Sequence, residues 1–511
     1  NIQLTRDAGK TWELVSKDLT SGKKGKVPPG TWAPHVEASK FDPASAFVVF
    51  DDHRRANWTT YVYVTHDFGK TWKSLATPEI DGFVHVIEQD PVDKDLLFLG
   101  TEFGLYVSLN GGKSWMKWTQ GIPTVPVRDI AVHPRESDLI VATHGRSLYI
   151  IDDISPLRDI TEDLVQKKLH LFPVPDAIQF QRGRISSYMT TGDTAFIGEN
   201  KPLGAVFTYF LLPSERKKPE EKEQEQPQDA QRRAMMERMR QMAGRGMFGK
   251  MGMMRQGSSR VQITITDSSG KVIYRMNGTE NKGLNRITWN FTEQTSRQRS
   301  TAPRRGFFGF RGGDLTVLPG EYTVTIKYDG QEVSQKFTVK PDPRIPVDRA
   351  LLEENYRMGK KALKLSEAIN AASRQIQETQ ESFKTFFEYV RKNRSPKTKE
   401  LVQSGRTLEK KLKEFAEILN PTPPKQGIAD RSAGLRTQVM RAVSGITRAG
   451  YNPITQAARV KYERVRGQAA EFLEKLNAFY QTDMEAFKKK LKDADFSFFG
   501  AFSPIKIEDQ D

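Results

Sequence analysis

The sequence contains no cysteine. Disulfides, thiolate metal sites and cysteine nucleophiles are therefore excluded. A chain of this size builds cores large enough to stand without disulfides, so the absence names no compartment. No run of about 18 apolar residues occurs, which excludes a membrane-spanning helix. The seven histidines all fall within residues 35–170 and form neither an H-x-H nor an H-x3-H pair. His35, His53, His85 and His144 are the ones placed to face a central channel, but single histidines more often cap turns or pack, so neither a metal nor another cofactor is expected. The first residues, Asn1-Ile2-Gln3-Leu4, carry no initiator Met, basic n-region or apolar h-region and read as the middle of a strand. A mature fragment, or one piece of a larger protein, is the expectation.

What is present is length and positive charge. The 511 residues suffice for about three or four domains. The net charge of +16 is spread over an insert and the C-terminal region, where Lys and Arg alternate with Glu. Such interleaving is a solvated face, and no nucleic-acid partner is expected.

An eight-residue unit recurs three times: Thr5–Trp12 (TRDAGKTW), Thr65–Trp72 (THDFGKTW) and Ser108–Trp115 (SLNGGKSW). Asp7, Asp67 and Asn110 can accept from the amides of a tight turn. Gly9, Gly69 and Gly112 supply a backbone conformation that a Cβ resists. Trp12, Trp72 and Trp115 then re-enter the sheet and are expected to bury their rings between neighbouring sheets. Between these units run paired strands broken by Asp-Pro or His-Pro turns, as in Val84–Pro91 with Asp95–Thr101 and Val127–Pro134 with Asp138–Thr143. A spacing of about 43 to 60 residues fits four-stranded propeller blades.

The three units resemble the Asp-box, or BNR repeat, of sialidases, xyloglucanase-type glycoside hydrolases and the sortilin/Vps10 domain. The closing segment His144-Gly145-Arg146-Ser147-Leu148-Tyr149-Ile150-Ile151 resembles the last strand of bacterial sortilin-like propellers, and its His144 and Arg146 are the candidate ligand-binding residues. The resemblance implies a secreted, periplasmic or cell-surface protein that binds proteins or peptides without catalysis. A polysaccharide hydrolase is the alternative, and Asp51, Asp52, Asp81 and Glu102 are the candidate carboxylates, although spacing alone brings no two of them together. A sialidase set of three Arg with a Tyr–Glu pair cannot be assembled. Two or three blades form an arc, so an upstream segment or another chain is expected to complete the ring.

Beyond the arc, period-2 patterning around Ala205–Leu211, Val261–Ile265, Ile287–Phe291 and Tyr322–Val339 predicts an immunoglobulin-like sandwich. It is interrupted by a charged, Met-rich segment that composition marks as disordered. After Pro346 the apolar spacing becomes helical, with four amphipathic stripes that predict a bundle. The expected organisation is a multidomain chain. It runs from propeller blades (1–155) through a linker (156–200) and an all-β sandwich (201–345, insert 213–258) to an all-α helical bundle (346–511).

Overall fold

The computed structural model describes residues 1–21, 26–180, 200–214, 260–294, 315–392, 396–422, 434–493 and 504–507. The Met-rich insert beyond Ser214, the Gly/Arg/Phe stretch 304–313 and the aromatic tail 496–502 lie outside the described residues.

The first part is a row of antiparallel sheets. A short ribbon pairs β1 (Gln3–Leu4) with β2 (Glu13–Leu14). The next sheet runs in chain order through β3 (Trp32–Ala38), β4 (Ala46–Asp51), β5 (Tyr61–Thr65) and β6 (Lys73–Ser74). A second meander contains β7 (Val84–Gln89), β8 (Leu97–Thr101), β9 (Gly104–Ser108) and β10 (Met116–Lys117). A third has three strands, β11 (Val127–Val132), β12 (Leu139–Thr143) and β13 (Leu148–Ile151). The sheets stack face to face. Val49, Val62 and Phe47 of one meet Ile87, Leu99 and Trp115 of the next, whose other face packs Val86, Phe98 and Val107 on Ile130, Leu139 and Val141. The first strands β3, β7 and β11 lie side by side. Radial sheets with their first strands gathered inward make a β-propeller kind of fold.

The meander gives the arc two different ends. One end carries the hairpins after Asp51, Thr101 and Thr143, next to the starts of β3, β7 and β11. The other carries the turns of the repeated eight-residue units.

A second β unit follows. One sheet joins β14 (Leu169–Leu171), β16 (Ala205–Leu211) and β19 (Gly283–Trp289). The other joins β15 (Ala177–Gln179), β17 (Gln262–Asp267), β18 (Val272–Asn277), β22 (Gly320–Tyr328) and β23 (Gln331–Pro341). A ribbon pairs β20 (Thr292–Glu293) with β21 (Leu315–Thr316). The two sheets enclose one core around Trp289, Phe207, Tyr322 and Phe337. The stretch expected as a linker supplies β14 and β15, because Leu169, Leu171 and Ala177 alternate inward and join that core.

The C-terminal region is helical: α1 (Arg349–Lys392), α2 (Pro396–Leu419), α3 (Leu435–Thr447) and α4 (Gln456–Ala478), which passes through a π-helical turn at Phe479–Met484 into α5 (Glu485–Asp493). The apolar stripes read from the sequence, including Leu365, Ile369, Leu412, Val439, Val465 and Leu476, form its core. The last long helix begins at Gln456, where the Thr455 hydroxyl accepts from Ala458 N at 3.2 Å. Asn452 gives its carbonyl to Asn355.

Side-chain ties join the parts. Arg286 donates to the carbonyls of Asp152 and Asp153 at 2.7 and 2.8 Å, and Tyr356 donates to Glu293 at 2.6 Å.

Candidate functional site

The turns of the three repeated eight-residue units are closed networks. Asp67 Oδ1 accepts from Thr71 N at 2.9 Å and Oδ2 from the Thr71 hydroxyl at 2.6 Å, while Thr65 Oγ1 accepts from Gly69 N at 2.9 Å. Asp7 repeats this with Thr11 at 2.8 and 2.7 Å. Asn110 keeps the geometry without a charge, accepting from Ser114 N and donating to Ser114 Oγ. The hydroxyl and amide of Thr71 hold the Asp67 carboxyl down at about 2.

The tryptophans differ. Trp115 is 3% exposed and its indole donates to Leu75 O in the preceding sheet. Trp72 is half-buried and donates to Val15 O. Trp12 was expected to be buried, yet it is 59% exposed and donates to Gly9 O of its own turn. The described residues place no sheet beside it.

At the hairpin end, chemistry-bearing side chains converge. Buried His85, near the start of β7, places Nε2 3.0 Å from Glu102 Oε2 and receives Arg128 Nη1 at Nδ1, 3.1 Å away. Arg128 Nη2 also lies 3.9 Å from Glu102. Arginine only donates, so Nδ1 is an acceptor and the proton sits on Nε2, facing Glu102. That tautomer is neutral. Burial, assisted by Arg128 and opposed by Glu102, holds the imidazole below its ordinary pKa.

The next hairpin closes on the same ring. His53 stacks on Phe83 at 4.6 Å, Trp58 lies 5.6 Å from Phe83, and Phe83 meets His85 edge-on at 5.0 Å. Asp51 Oδ1 receives the His53 amide at 3.0 Å and lies 2.6 Å from His53 Nδ1. Asp51 Oδ2 is buried with no hydrogen-bond partner, and the Asp51 charge acts on His85. Trp32, Trp58 and Phe103 are large exposed aromatics around these loops.

Of the four carboxylates singled out from the sequence, Glu102 binds His85 and Asp51 binds His53, whose ring stacks on the Phe83 that meets His85. Asp52 is held inside its own loop by Arg55 Nε at 2.7 Å and Asn57 Nδ2 at 2.8 Å. Asp81 is exposed, with Lys117 3.9 Å away. His144 and Arg146 sit at the exposed tip of the hairpin closed by Thr143 N and Ser147 O at 3.1 Å. Because Thr143 pairs with Val127, that tip shares the end that carries Arg128. His35 faces Glu37 at 3.8 Å.

Sequence reasoning missed Trp58 and Phe83, which belong to no repeat, Arg128, which sits in a repeated strand without being marked by it, and Arg158, which grips fully buried Asp90 at 3.0 and 2.9 Å. It also missed Glu37 and Glu88, which share Lys40 at 3.5 and 2.8 Å; burial pushes the Glu88 carboxyl up while Lys40 pulls it down. The signal for the two acids was there: each is a charged residue on a first strand, Glu37 on β3 and Glu88 on β7. Among the described residues, no three His, Asp or Glu side chains group as metal ligands, and no helix is long and apolar enough to cross a membrane.

No family model and no curated relative matches the chain. Short stretches are similar to solved glycoside hydrolase structures. An ancestral GH74 enzyme is 21% identical over 23% of this chain and 14% of its own, with a TM-score of 0.20. The GH74 enzyme of Niastella koreensis is 12% identical over 34% of this chain and 28% of its own, with a TM-score of 0.25. The GH74 xyloglucanase from Xanthomonas campestris is 13% identical over the same shares, 34% and 28%, with a TM-score of 0.16. This chain thus spans less than a third of the length of each, and the propeller kind of fold rests on the sheets described above.

Proposed function

We propose that this chain is the closing arc of a sortilin-like Asp-box propeller, followed by an immunoglobulin-like sandwich and a helical bundle, and that it works as a non-catalytic protein- or peptide-binding scaffold of a bacterial envelope. The observation that carries the reading is the chemistry of the hairpin end. Glu102 is taken up by His85 and Arg128, and Asp52 by Arg55 and Asn57, while Trp32, Trp58 and Phe103 stand exposed. A polar, internally satisfied rim around aromatic anchors is how recognition surfaces are built. Completion of the ring by further blades, upstream or on another chain, is supported by Trp12, whose indole lacks the neighbour that Trp72 and Trp115 have.

A second reading, polysaccharide hydrolysis, is favoured by one observation. Asp51 Oδ2 is buried without a partner in the cluster that holds Glu102, beneath exposed aromatics. Two carboxylates and aromatic platforms are the parts such chemistry uses.

A displayed random dodecapeptide library separates the two. The scaffold reading expects enriched peptides whose affinity drops at least tenfold in Trp58→Ala. Release of reducing ends from a β-glucan by the full chain, lost in Asp51→Asn, would overturn it in favour of hydrolysis.

A further inference from the structure

A cavity of about 610 Å³ opens between the β3–β6 and β7–β10 sheets, at the end that carries the turns of the repeated units. Its volume falls within the roughly 300–1,000 Å³ of small-ligand pockets.

The charges of its walls do not cancel. Three lysines stand there on three separate segments: Lys73 on β6, Lys94 in the turn between β7 and β8, and Lys113 in the turn of the third unit. All three are exposed, and none is ion-paired among the described residues. Other lysines of the arc do find acids, as Lys40 does with Glu88 at 2.8 Å and Lys117 with Asp81 at 3.9 Å. Cations gathered around a recess without counter-charges draw anions to it.

The same walls also offer acceptors. Asp42 Oδ2 accepts from the Ser45 hydroxyl at 2.5 Å and Oδ1 from the Ala44 amide at 3.1 Å, contacts that hold the carboxyl below its ordinary pKa and keep it charged. With its one proton so committed, Ser45 Oγ accepts from His66 Nδ1 at 2.8 Å, and Nε2 is the ring nitrogen left without a partner among the described residues. Asp95 stands in the opposite wall beside the turn at Gly111. Phe41, 43% exposed, adds one aromatic face. A ligand made only of anionic groups would meet Asp42 and Asp95 as like charges. One that alternates acids with hydroxyls gives the lysines their carboxylates, and gives the aspartates and the imidazole their donors.

We infer that this cavity binds an acidic oligosaccharide, a short chain of uronic acid units whose carboxylates pair with Lys73, Lys94 and Lys113 and whose hydroxyls donate to the acceptors between them. The site lies at the opposite end of the arc from His85 and does not depend on the function proposed there.

Three probes test it on the full chain by titration calorimetry. Trigalacturonate carries three carboxylates among hydroxyls, maltotriose has as many rings but no charge, and tricarballylate has three carboxylates and no hydroxyl. Trigalacturonate should bind at least about tenfold more tightly than either of the others, and severalfold more weakly as salt rises from about 20 to about 200 mM. Each of Lys73→Gln, Lys94→Gln and Lys113→Gln should weaken it by about threefold, the size of one exposed ion pair, and the three together should abolish binding. Lys10→Gln, an exposed change in the first unit and outside the cavity, should leave binding unchanged. No binding of trigalacturonate, equal binding of maltotriose or tricarballylate, or an equal loss in Lys10→Gln would overturn the proposal. If the triple variant fails to fold, the comparison of the three probes on the wild-type chain still decides.

Discussion

The first and third repeat units share a pattern, with only Gly, Lys and Trp identical, and stand in opposite situations. Thr5–Trp12 and Ser108–Trp115 close the same turn with equivalent hydrogen bonds, the side-chain one reversed because Asn110 donates where Asp7 accepts, yet one tryptophan is open to solvent and the other sealed. The glycines repeat the contrast. A Cβ on Gly112 would lie 3.0 Å from Leu75 Cδ2 and one on Gly69 2.7 Å from Val15 Cβ, both in the preceding sheet, whereas one on Gly9 meets only Trp12, 3.9 Å away. The motif therefore encodes a turn by itself. Its aromatic and its small residue acquire their packing role only when another sheet stands in front.

That contrast is open to attack in four ways. Trp115→Ala should cost about 3–5 kcal/mol of stability in urea unfolding, the range for deleting a buried large aromatic, while Trp12→Ala should stay within about 0.5 kcal/mol in this chain. Equal losses would mean the first box is buried too. Next, Gly69→Ala combines a positive φ of 79° with a clash into Val15, and Gly9→Ala meets its φ of 90° alone. The first should lower the urea midpoint well beyond the second, whose strain is about 1 kcal/mol. If further blades complete the ring as proposed, supplying a sheet in front of Trp12 should erase the difference.

The third compares the two ends of the arc. His85 is neutral and its pKa is depressed, so its contribution to stability is complete above about 6.5, its unfolded value, and is lost as pH falls below that. The urea midpoint of wild type should decline from pH 7.5 to 5, and His85→Gln should decline less. The smallest effect belongs to the exposed boxes. With its pKa depressed from 3.8 to about 2, Asp67 adds stability above pH 3.8 that disappears as pH falls to about 2. Asp67→Asn, which makes this turn like the third, should flatten the acid limb slightly between those values; a slope identical to wild type would show that the carboxylate carries nothing the amide lacks.

What the sequence disclosed followed period and repetition. The Asp-boxes, the alternating strands of the second β unit and the i, i+3, i+4 stripes at Leu365, Val439 and Val465 are local patterns, and local patterns survive in one dimension. The candidate site is the opposite case. Carboxylates at 51 and 102 were visible as residues, but their meeting around Phe83 and His85 depends on how two sheets stack. Arg128 reaches them from a third sheet; it holds the position in its repeat that His85 holds in the one before, but the repeat does not say that the two side chains touch. Leu169–Leu171 looked like a connector because prolines follow it, although its inward leucines already had a strand's alternation.

At 44 residues, α1 is about 66 Å of continuous helix at 1.5 Å per residue. Its near end carries Asn355 and Tyr356 at the joint with the β unit, and its far end carries Phe383 and Phe386 among the aromatic rings of the bundle. Some 45 Å separates those stations, so a tilt of five degrees at one swings the other by about 4 Å. From Ala362 to Val390 its buried face belongs to one core, so the helix is a strut that fixes the bundle's distance and direction from the joint.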